Sequence, residues 1–306
     1  MKVNYHTHSS YCRHAQGKVC DFADEAFSSG LEVLGFSDHA PFPVPLFGDG
    51  SDGNTRYGNG MDFCELDLYL KDVREVQEKY KGRMKIYSSL EIEYLDEFDR
   101  VNFPGSQNCK RGGQLCSEGE GKLEEEGEGA LEDSYYKWLL NEKKLDYLLL
   151  GAHFYRDREG NFQNIYTIEK AENILDYAEA CKRAILSGYF KIIAHPDIFA
   201  MRDFSDDEKW PEIYQKAGEI ILEAAKEKGT IIEYNANGYR RGLFDYGQCK
   251  RYQYPLKDFW EKVSDSALPV VVGSDCHVPE QVYDSFVEKA YKDLESLGIK
   301  PLKEIF

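Results

Sequence analysis

The fold of this chain is decided close to its first residue, by the sequence Val3-Asn4-Tyr5-His6-Thr7-His8-Ser9-Ser10-Tyr11-Cys12-Arg13-His14. Val3 and Tyr5 lie two positions apart, which predicts a strand with one apolar face. In an extended strand the side chains at i and i+2 point the same way, so His6 and His8 can hold one cation. An isolated pair of this kind is more often two solvated histidines at a strand end. The rest of the chain therefore has to decide between the two interpretations.

Outward from this stretch, short apolar runs alternate with segments of helical spacing. Six further runs predict strands, over residues 33–37, 84–90, 147–152, 191–194, 230–234 and 269–274. Helices are predicted over residues 21–29, 61–80, 169–186, 207–228 and 255–266, with a last one from near Pro279. Near-continuous apolar strands that alternate with helices are typical of parallel sheets, and this many units predict a closed α/β barrel. Because barrels of this length often form one domain, we expect a single domain over residues 1–306.

Composition limits the classes of function. The 306 residues are 42% hydrophobic, enough for a sizeable core, and carry a formal net charge of -17. That charge argues against a nucleic-acid partner, which needs a basic surface, but it allows a small phosphorylated substrate held by a few local cations. The eight cysteines show neither a CxxC pair nor disulfide spacing, and we find no basic leader and no long apolar run. We therefore expect a reduced, cytoplasmic protein that does not bind membranes.

Two segments interrupt the alternation. Residues 41–60 form a long loop rich in proline and glycine, which is typical of either a functional lid or a disordered segment. Residues 103–133 are rich in glycine and glutamate, and Glu118 to Asp133 contain eight acidic residues against one base. Such a run cannot bury enough apolar surface to order itself, so we expect a flexible acidic insertion.

The remaining histidines repeat the pattern of the first strand. Each predicted strand ends at a residue that can bind a metal or a polar group: His6 and His8, then His39, Glu91, His153, His195, Asn235, and finally Asp275 and His277. His14 lies in the loop after the first strand. A histidine at a strand end is usually a core residue with satisfied hydrogen bonds, but this explanation does not suit all seven on one rim. Converging imidazoles and carboxylates favour Zn²⁺, Mn²⁺ or Fe, and their number favours a multinuclear hydrolytic centre.

These motifs carry a family resemblance. The residues that carry it are His6-Thr7-His8, Ser37-Asp38-His39-Ala40-Pro41-Phe42-Pro43, Leu90-Glu91-Ile92-Glu93-Tyr94, Gly151-Ala152-His153-Phe154, Ala194-His195-Pro196-Asp197 and Gly273-Ser274-Asp275-Cys276-His277. In this order they resemble the PHP (polymerase and histidinol phosphatase) superfamily. The run from Asp38 to Pro43 and Glu233-Tyr234-Asn235 with the arginines after it look most like histidinol-phosphate phosphatases. The resemblance implies a distorted seven-stranded (β/α)7 barrel with three divalent metals at the C-terminal ends of its strands.

The resemblance also implies how the ligands divide. One metal would be held by His6, His8, Glu91 and Asp275. A second would share Glu91 as a bridge and add His153 and His195. The third would take His14, His39 and His277. Within these groups we take Glu91, Asp275 and His39 as candidate catalytic residues.

A phosphatase also needs cations for the phosphoryl group, because metals alone leave part of its charge uncompensated. The candidates are Arg202, after His195, and Arg240 or Arg241, after Asn235. Enzymes of the similar family use one arginine from each of these loops, so we choose Arg202 and Arg240. Arg156 and Arg158, which follow His153, are the second choice for binding the phosphoryl group. For any one of them a solvated surface charge is an equally good explanation.

We therefore expect a metal-dependent phosphomonoesterase that releases phosphate from L-histidinol phosphate, a step of histidine biosynthesis, through a hydroxide bridging two metals. One alternative is a PHP phosphoesterase acting on a nucleotide or short oligonucleotide, which a basic groove with stacking aromatics would favour. Another is a regulator that binds metal or phosphate without catalysis, which a missing ligand would favour. The oligomeric state does not follow from the sequence.

Overall fold

The computed structural model of the chain describes residues 1–42, 60–95, 134–202, 204, 207–247 and 249–306. Most of the expected lid, residues 43–59, and the whole of the expected acidic insertion, residues 103–133, lie outside the described residues. Both expectations remain predictions from the sequence.

Eleven strands are formed by the described residues. In chain order they are β1 (Lys2–Asn4), β2 (Leu31–Phe36), β3 (Lys85–Ile92), β4 (Tyr147–Leu150), β5 (Phe154–Arg156), β6 (Phe162–Asn164), β7 (Ile192–Ile193), β8 (Ile231–Asn235), β9 (Leu243–Asp245), β10 (Lys250–Tyr252) and β11 (Val270–Gly273). Seven of them form one parallel sheet in the order β1-β2-β3-β4-β7-β8-β11. The other four form two antiparallel hairpins, β5–β6 and β9–β10, that the apolar pattern did not predict.

The helices fill the connections between the strands. They are α1 (Val19–Ser28), α2 (Phe63–Lys79), α3 (Tyr135–Lys137), α4 (Asn173–Ser187), α5 (Trp210–Lys228), α6 (Asn237–Arg240), α7 (Lys257–Ser266) and α8 (Ser285–Ser296). A π-helical turn, Trp138–Glu142, follows α3, and 3₁₀ turns lie at Ser10–Cys12, Ile198–Met201 and Pro279–Gln281. No helix within the described ranges is both long enough and apolar enough to cross a bilayer.

Local chemistry explains where these helices start and end. Asp62 and Glu65 form a capping box at the start of α2, and the backbone N–H of Asp62 donates to Glu65 Oε2 at 2.7 Å. Gly229 ends α5 at φ +67°, a conformation that glycine adopts without steric cost. The last helix begins later than predicted. Only a 3₁₀ turn follows Pro279, and α8 starts after Asp284, whose carboxylate accepts from two backbone N–H groups of its first turn at 3.0 Å.

The sheet closes almost completely on itself. Beyond the ends of β1 and β11, the backbone N–H of Asp275 donates to the His6 carbonyl at 3.0 Å, and His8 N–H donates to the Cys276 carbonyl at 3.1 Å. This contact is a single parallel bridge rather than a full ladder, so the barrel is distorted at its seam. The predicted seven-stranded α/β barrel is confirmed, and its seam brings the first and last histidine motifs together.

Two apolar layers support the rim of the barrel. The larger layer lies between the strands and the helices that cover them. A smaller cluster fills the barrel interior, and it includes Val3, Tyr5, Tyr147, Leu149 and Ile192. Tyr147 donates its hydroxyl to the Tyr5 carbonyl at 2.6 Å. Polar side chains follow these strands at their C-terminal ends, where the active sites of barrels of this class lie.

Candidate metal centre

The strand ends deliver the predicted ligands to one rim. His6, His8, His39, His153, His195, Glu91 and Asp275 are all buried, whereas His277 is half-buried and His14 is exposed. His195 and Asp275 take positive φ angles of 27° and 47°, which are unusual for residues other than glycine. Such backbone strain, of order 1–3 kcal/mol per residue, persists only where surrounding contacts impose it, and it is typical of functional sites.

Glu91 lies between two sets of imidazoles. Its Oε2 atom is 3.3 Å from His6 Nε2, 3.2 Å from His8 Nε2 and 3.4 Å from His39 Nδ1. Its Oε1 atom is 3.0 Å from His195 Nε2 and 3.6 Å from His153 Nε2. One carboxylate thus offers a separate oxygen to each side.

Asp275 completes the first set. Its Oδ1 atom lies 3.5 Å from His6 Nε2 and 3.3 Å from His8 Nε2. Its Oδ2 atom accepts from the side-chain amides of Asn235 at 3.3 Å and Asn237 at 3.1 Å. Because these amides hold one oxygen, the other is directed at the histidines. The predicted polar residue at the end of β8, Asn235, therefore acts on the site through Asp275.

The third set lies nearest the solvent, because His14 is exposed and His277 is half-buried. His14 Nε2 and His277 Nε2 face each other at 2.7 Å, and the rings of His14 and His39 are nearly parallel with centroids 5.4 Å apart. The Cys12 thiol, which the sequence reasoning did not include, lies with His14 and His277 in one group of donor atoms, all within 4.8 Å of one another. The only sign of it in the sequence was its place two residues before His14.

The separations between carboxylates and imidazoles in the first set fit a divalent metal better than direct hydrogen bonds. Ligand atoms about 2.1 Å from a tetrahedral ion lie about 3.4 Å from one another, whereas charge-assisted hydrogen bonds are about 2.7–2.9 Å long. The contacts of Glu91 and Asp275 with His6 and His8 span 3.2–3.5 Å. His6 Nε2 and His8 Nε2 are themselves 3.0 Å apart, which requires a proton or a cation between two lone pairs. The residues present therefore fit metal ions.

The carboxylates and imidazoles of the rim interact strongly. Burial works to raise the pKa values of Glu91 and Asp275, but the surrounding imidazoles outweigh it and hold both pKa values well below their ordinary range. Burial works to lower the pKa values of His6 and His8, but the carboxylates outweigh it and raise both well above the ordinary value. Burial and the neighbouring His8 lower the pKa of His39 well below its ordinary value and that of His277 to about 3. Because ionised carboxylates and neutral imidazoles bind metals, a metal at this rim would displace the protons of His6 and His8.

Two buried glutamates each contact the Nδ1 atom of a candidate ligand histidine, on the side of the ring away from Glu91. Glu93 Oε1 lies 2.9 Å from His153 Nδ1, and Glu233 Oε1 lies 2.8 Å from His6 Nδ1. A carboxylate behind a ligating histidine fixes its tautomer and orientation. Neither glutamate was predicted as a site residue. The signals were present, since Glu93 shares a strand face with Glu91 and Glu233 interrupts an apolar strand.

An open cleft of about 390 Å³ lies over this rim. Its lining residues are His14, His39, Glu91, His153, Tyr166, His195, Asn237, Arg241, Tyr254, Asp275, His277 and Gln281. The Tyr166 ring is nearly parallel to His153 at 5.8 Å between centroids, and the Arg241 guanidinium lies 5.9 Å from the centroid of Tyr254. Arg241 is the one arginine or lysine among the described residues that line the cleft.

The candidate phosphate-binding arginines lie elsewhere. Arg240 pairs with Asp284 at 2.9 Å and is not among the described lining residues. Arg202 is exposed beside the cleft wall and makes a long contact of 3.4 Å to the Tyr166 carbonyl. Of the second-choice pair, Arg156 lies over the Phe162 ring at 5.2 Å, and Arg158 pairs with Asp176 at 2.6 Å. Geometry thus favours Arg241, the alternative left open after Asn235.

Comparison with known proteins agrees with this architecture. A probable histidinol-phosphatase of Deinococcus radiodurans is 24% identical over 298 residues, covering 96% of this chain and 92% of the relative. A probable histidinol-phosphatase of Schizosaccharomyces pombe is 23% identical over 311 residues, covering 99% and 89%. Among solved structures, histidinol phosphate phosphatase from Lactococcus lactis, complexed with Zn, L-histidinol and phosphate, is similar in fold. Its TM-score is 0.61 at 15% sequence identity, over 98% of this chain and 95% of that one.

The family model described as PHP domain matches residues 4–237. The match begins two residues before the first histidine pair and ends beyond Asn235, so it spans five of the seven barrel strands and the last residue of β1. With three quarters of its length matched and the whole rim built as described, this chain belongs to the PHP domain family.

Proposed function

We propose that this chain is a metal-dependent phosphomonoesterase that hydrolyses L-histidinol phosphate to L-histidinol and phosphate. The observation that carries the proposal is the position of Glu91, whose two oxygens face two separate imidazole sets at 3.0–3.6 Å. A carboxylate shared in this way suits a pair of metal ions, and such pairs are common in phosphatases. The curated relatives named as histidinol-phosphatases support the choice of substrate.

We assign the ligands to three metal positions. His6, His8, Glu91 and Asp275 would hold the first. Glu91, His153 and His195 would hold the second, and His14, His39 and His277 the third. Zinc, manganese or iron suits this set of nitrogen and carboxylate donors. When bound, such ions polarise a phosphoryl oxygen and lower the pKa of water, which supplies both electrophile and nucleophile.

The residues of the chain would orient the substrate against this centre. Arg241 can form two parallel hydrogen bonds with a phosphate, and charge-assisted pairs of this kind are strong and directional. Asn237 keeps Asp275 turned toward the histidines through its 3.1 Å bond to Oδ2. The rings of Tyr166 and Tyr254 form part of the cleft wall and would limit access of bulk water.

The cleft also favours a small substrate with one phosphate. Arg241 alone among lysines and arginines lines the described part of it, so the cleft offers one guanidinium to one phosphoryl group beside the metal positions. Tyr166 and Tyr254 offer aromatic faces for an imidazole ring or an ammonium group. A nucleoside monophosphate lacks the ammonium group that offsets part of the phosphate charge on this acidic protein. These features suit histidinol phosphate.

The test is a side-by-side measurement of phosphate release from histidinol phosphate and from nucleoside monophosphates, using protein loaded with Zn²⁺ or Mn²⁺. We expect kcat/KM to favour histidinol phosphate by on the order of a thousandfold, because each lost charge-assisted or ring contact costs one to a few kcal/mol. The Glu91→Gln variant, assayed in parallel, shows that the released phosphate comes from this site. Equal efficiency on nucleotides would overturn the proposed substrate.

A further inference from the structure

Glu233 is a carboxylate in the interior of the barrel. It belongs to β8 and is 1% exposed, and its neighbours along the strand are apolar. A buried carboxylate is costly unless hydrogen bonds or charges compensate it. The neighbouring strand β11 provides room for it, since a side chain on Gly273 would collide with the Glu233 carboxylate. Both strands are therefore adapted to hold the group in place.

Its two oxygens accept three hydrogen bonds. Oε1 accepts from His6 Nδ1 at 2.8 Å, and Oε2 accepts from the backbone N–H of His195 at 3.0 Å and from Asn235 Nδ2 at 2.8 Å. The His6 contact turns Nε2 of that ring toward Glu91 and Asp275. The His195 contact holds the strained turn, at φ +27°, that directs its imidazole to Glu91. One carboxylate thus supports a ligand from each of two metal positions.

We propose that Glu233 is a positioning residue that couples the first and second metal positions, so that both lose affinity together when it is altered. This inference rests on the ligand groups of the proposed function, and it does not depend on the identity of the substrate. All three partners are donors, so both oxygens must accept. A glutamine could satisfy one side only and would place its NH₂ group against N–H donors on the other. The conservative replacement therefore breaks the arrangement without changing its shape.

Glu93 provides the matched control. It is equally buried, and its oxygens accept from His153 Nδ1 at 2.9 Å and from the backbone N–H of Phe154 at 3.2 Å. Its only ligand partner among the described residues is His153, at the second position. Glu93→Gln should weaken one metal position, whereas Glu233→Gln should weaken two.

The experiment titrates a chelator against the wild-type, Glu233→Gln and Glu93→Gln proteins loaded with Zn²⁺, and counts retained zinc by elemental analysis. Loss of a carboxylate behind a ligating histidine typically costs 10–100-fold in metal affinity. We expect Glu233→Gln to lose two zinc equivalents at a chelator concentration 10–100-fold lower than the wild type requires. Glu93→Gln should lose one equivalent at such a concentration. Loss of the same number from both variants would overturn the coupling. Wild-type protein that binds no more than one zinc would overturn both the coupling and the proposed metal centre.

A measurement on the wild type tests the contact between Glu233 and His6, on which the coupling depends, even where the Glu233→Gln protein does not fold. In ¹⁵N-histidine NMR spectra of the zinc-loaded protein, His6 should carry its proton on Nδ1, hydrogen-bonded to carboxylate, with Nε2 shifted by metal. Asn235→Ala removes one donor to Glu233 and one of the two donors to Asp275, but it leaves the contacts of Glu233 with His6 and His195, so it should keep this signature. A His6 ring with Nδ1 unprotonated would overturn the proposal.

Discussion

Arg240 Nε and Asp284 Oδ2 lie 2.9 Å apart, in an ion pair that joins α6 to the residue capping α8. The two side chains are 9% and 19% exposed. The same guanidinium donates to the carbonyl oxygens of Ser274 and Gln281, on either side of Asp275 and His277. Arg240 thus supports the loop that carries two candidate ligands, and it does so from outside the cleft.

Replacing Arg240 and replacing Arg241 should therefore have different effects on activity and on stability. Arg241→Ala removes the one arginine of the described cleft wall, and loss of a charge-assisted contact made in the transition state costs about 2–4 kcal/mol. We expect kcat/KM for histidinol phosphate to fall roughly a hundredfold, with little change in the unfolding midpoint. Steady-state kinetics and thermal unfolding on the same preparation measure both quantities.

Arg240→Ala should act mainly on stability. It breaks a largely buried ion pair and removes two further hydrogen bonds, so we expect the free energy of unfolding to fall by about 3–5 kcal/mol. Arg202→Ala is the surface control. Because the Arg202 side chain is exposed and its contact with the Tyr166 carbonyl is long, at 3.4 Å, its loss should lower kcat/KM less than that of Arg241. An Arg241→Ala protein with normal kcat/KM would contradict this division.

Glu91→Gln tests the shared carboxylate. The amide keeps the shape but loses the charge and one acceptor, so it cannot serve both imidazole sets. We expect loss of at least one metal equivalent and a fall in turnover of at least about a hundredfold. His14→Gln, at the exposed end of the site, is the matched comparison and should be milder. Retention of all metal with near-normal turnover would show that Glu91 is not a bridge.

Metal removal should abolish hydrolysis and lower stability together. The buried imidazoles and carboxylates of the rim converge in the folded state only, so metal binding stabilises that state by mass action. Chelated protein should release no phosphate and unfold at a lower temperature, and addition of Zn²⁺ or Mn²⁺ should restore both properties. Mg²⁺, a hard cation that prefers oxygen ligands, is the control metal. Full activity in demonstrably metal-free protein would refute metal dependence.

The acidic segment from Gly105 to Glu132 should be dispensable for catalysis. Its composition, rich in charge and poor in apolar residues, predicts no contribution to the core. The described residues on either side of it are held together, since the Leu95 N–H donates to the Tyr136 hydroxyl at 3.0 Å and that hydroxyl donates to the Glu93 carbonyl at 3.0 Å. A short Gly/Ser linker in place of the segment should leave kcat within a small factor. A collapse in soluble expression or rate would contradict this.

Much of the barrel and of its rim could be predicted from sequence because the relevant signals are local. Apolar runs and helical spacing predict strands and helices residue by residue. In parallel strands joined by helices, all C-terminal ends meet at one rim, so His6, Glu91, His153 and Asp275 had to approach each other once the barrel was assumed. The hairpin β5–β6 escaped prediction because its strands of three residues are too short to show a period.

The sequence by itself determined the barrel and the residues on its rim. The tertiary structure decided which side chains those residues contact. Arg240 and Arg241 are adjacent, and about 100° of rotation per residue along a helix directs one to Asp284 and the other to the cleft. Which arginine takes which direction depends on how α6 packs against α8, a contact between distant parts of the chain. Likewise, Glu233 meets His6 only because β8 and β1 lie on either side of β11 in the closed sheet, a relationship that no pattern along one strand encodes.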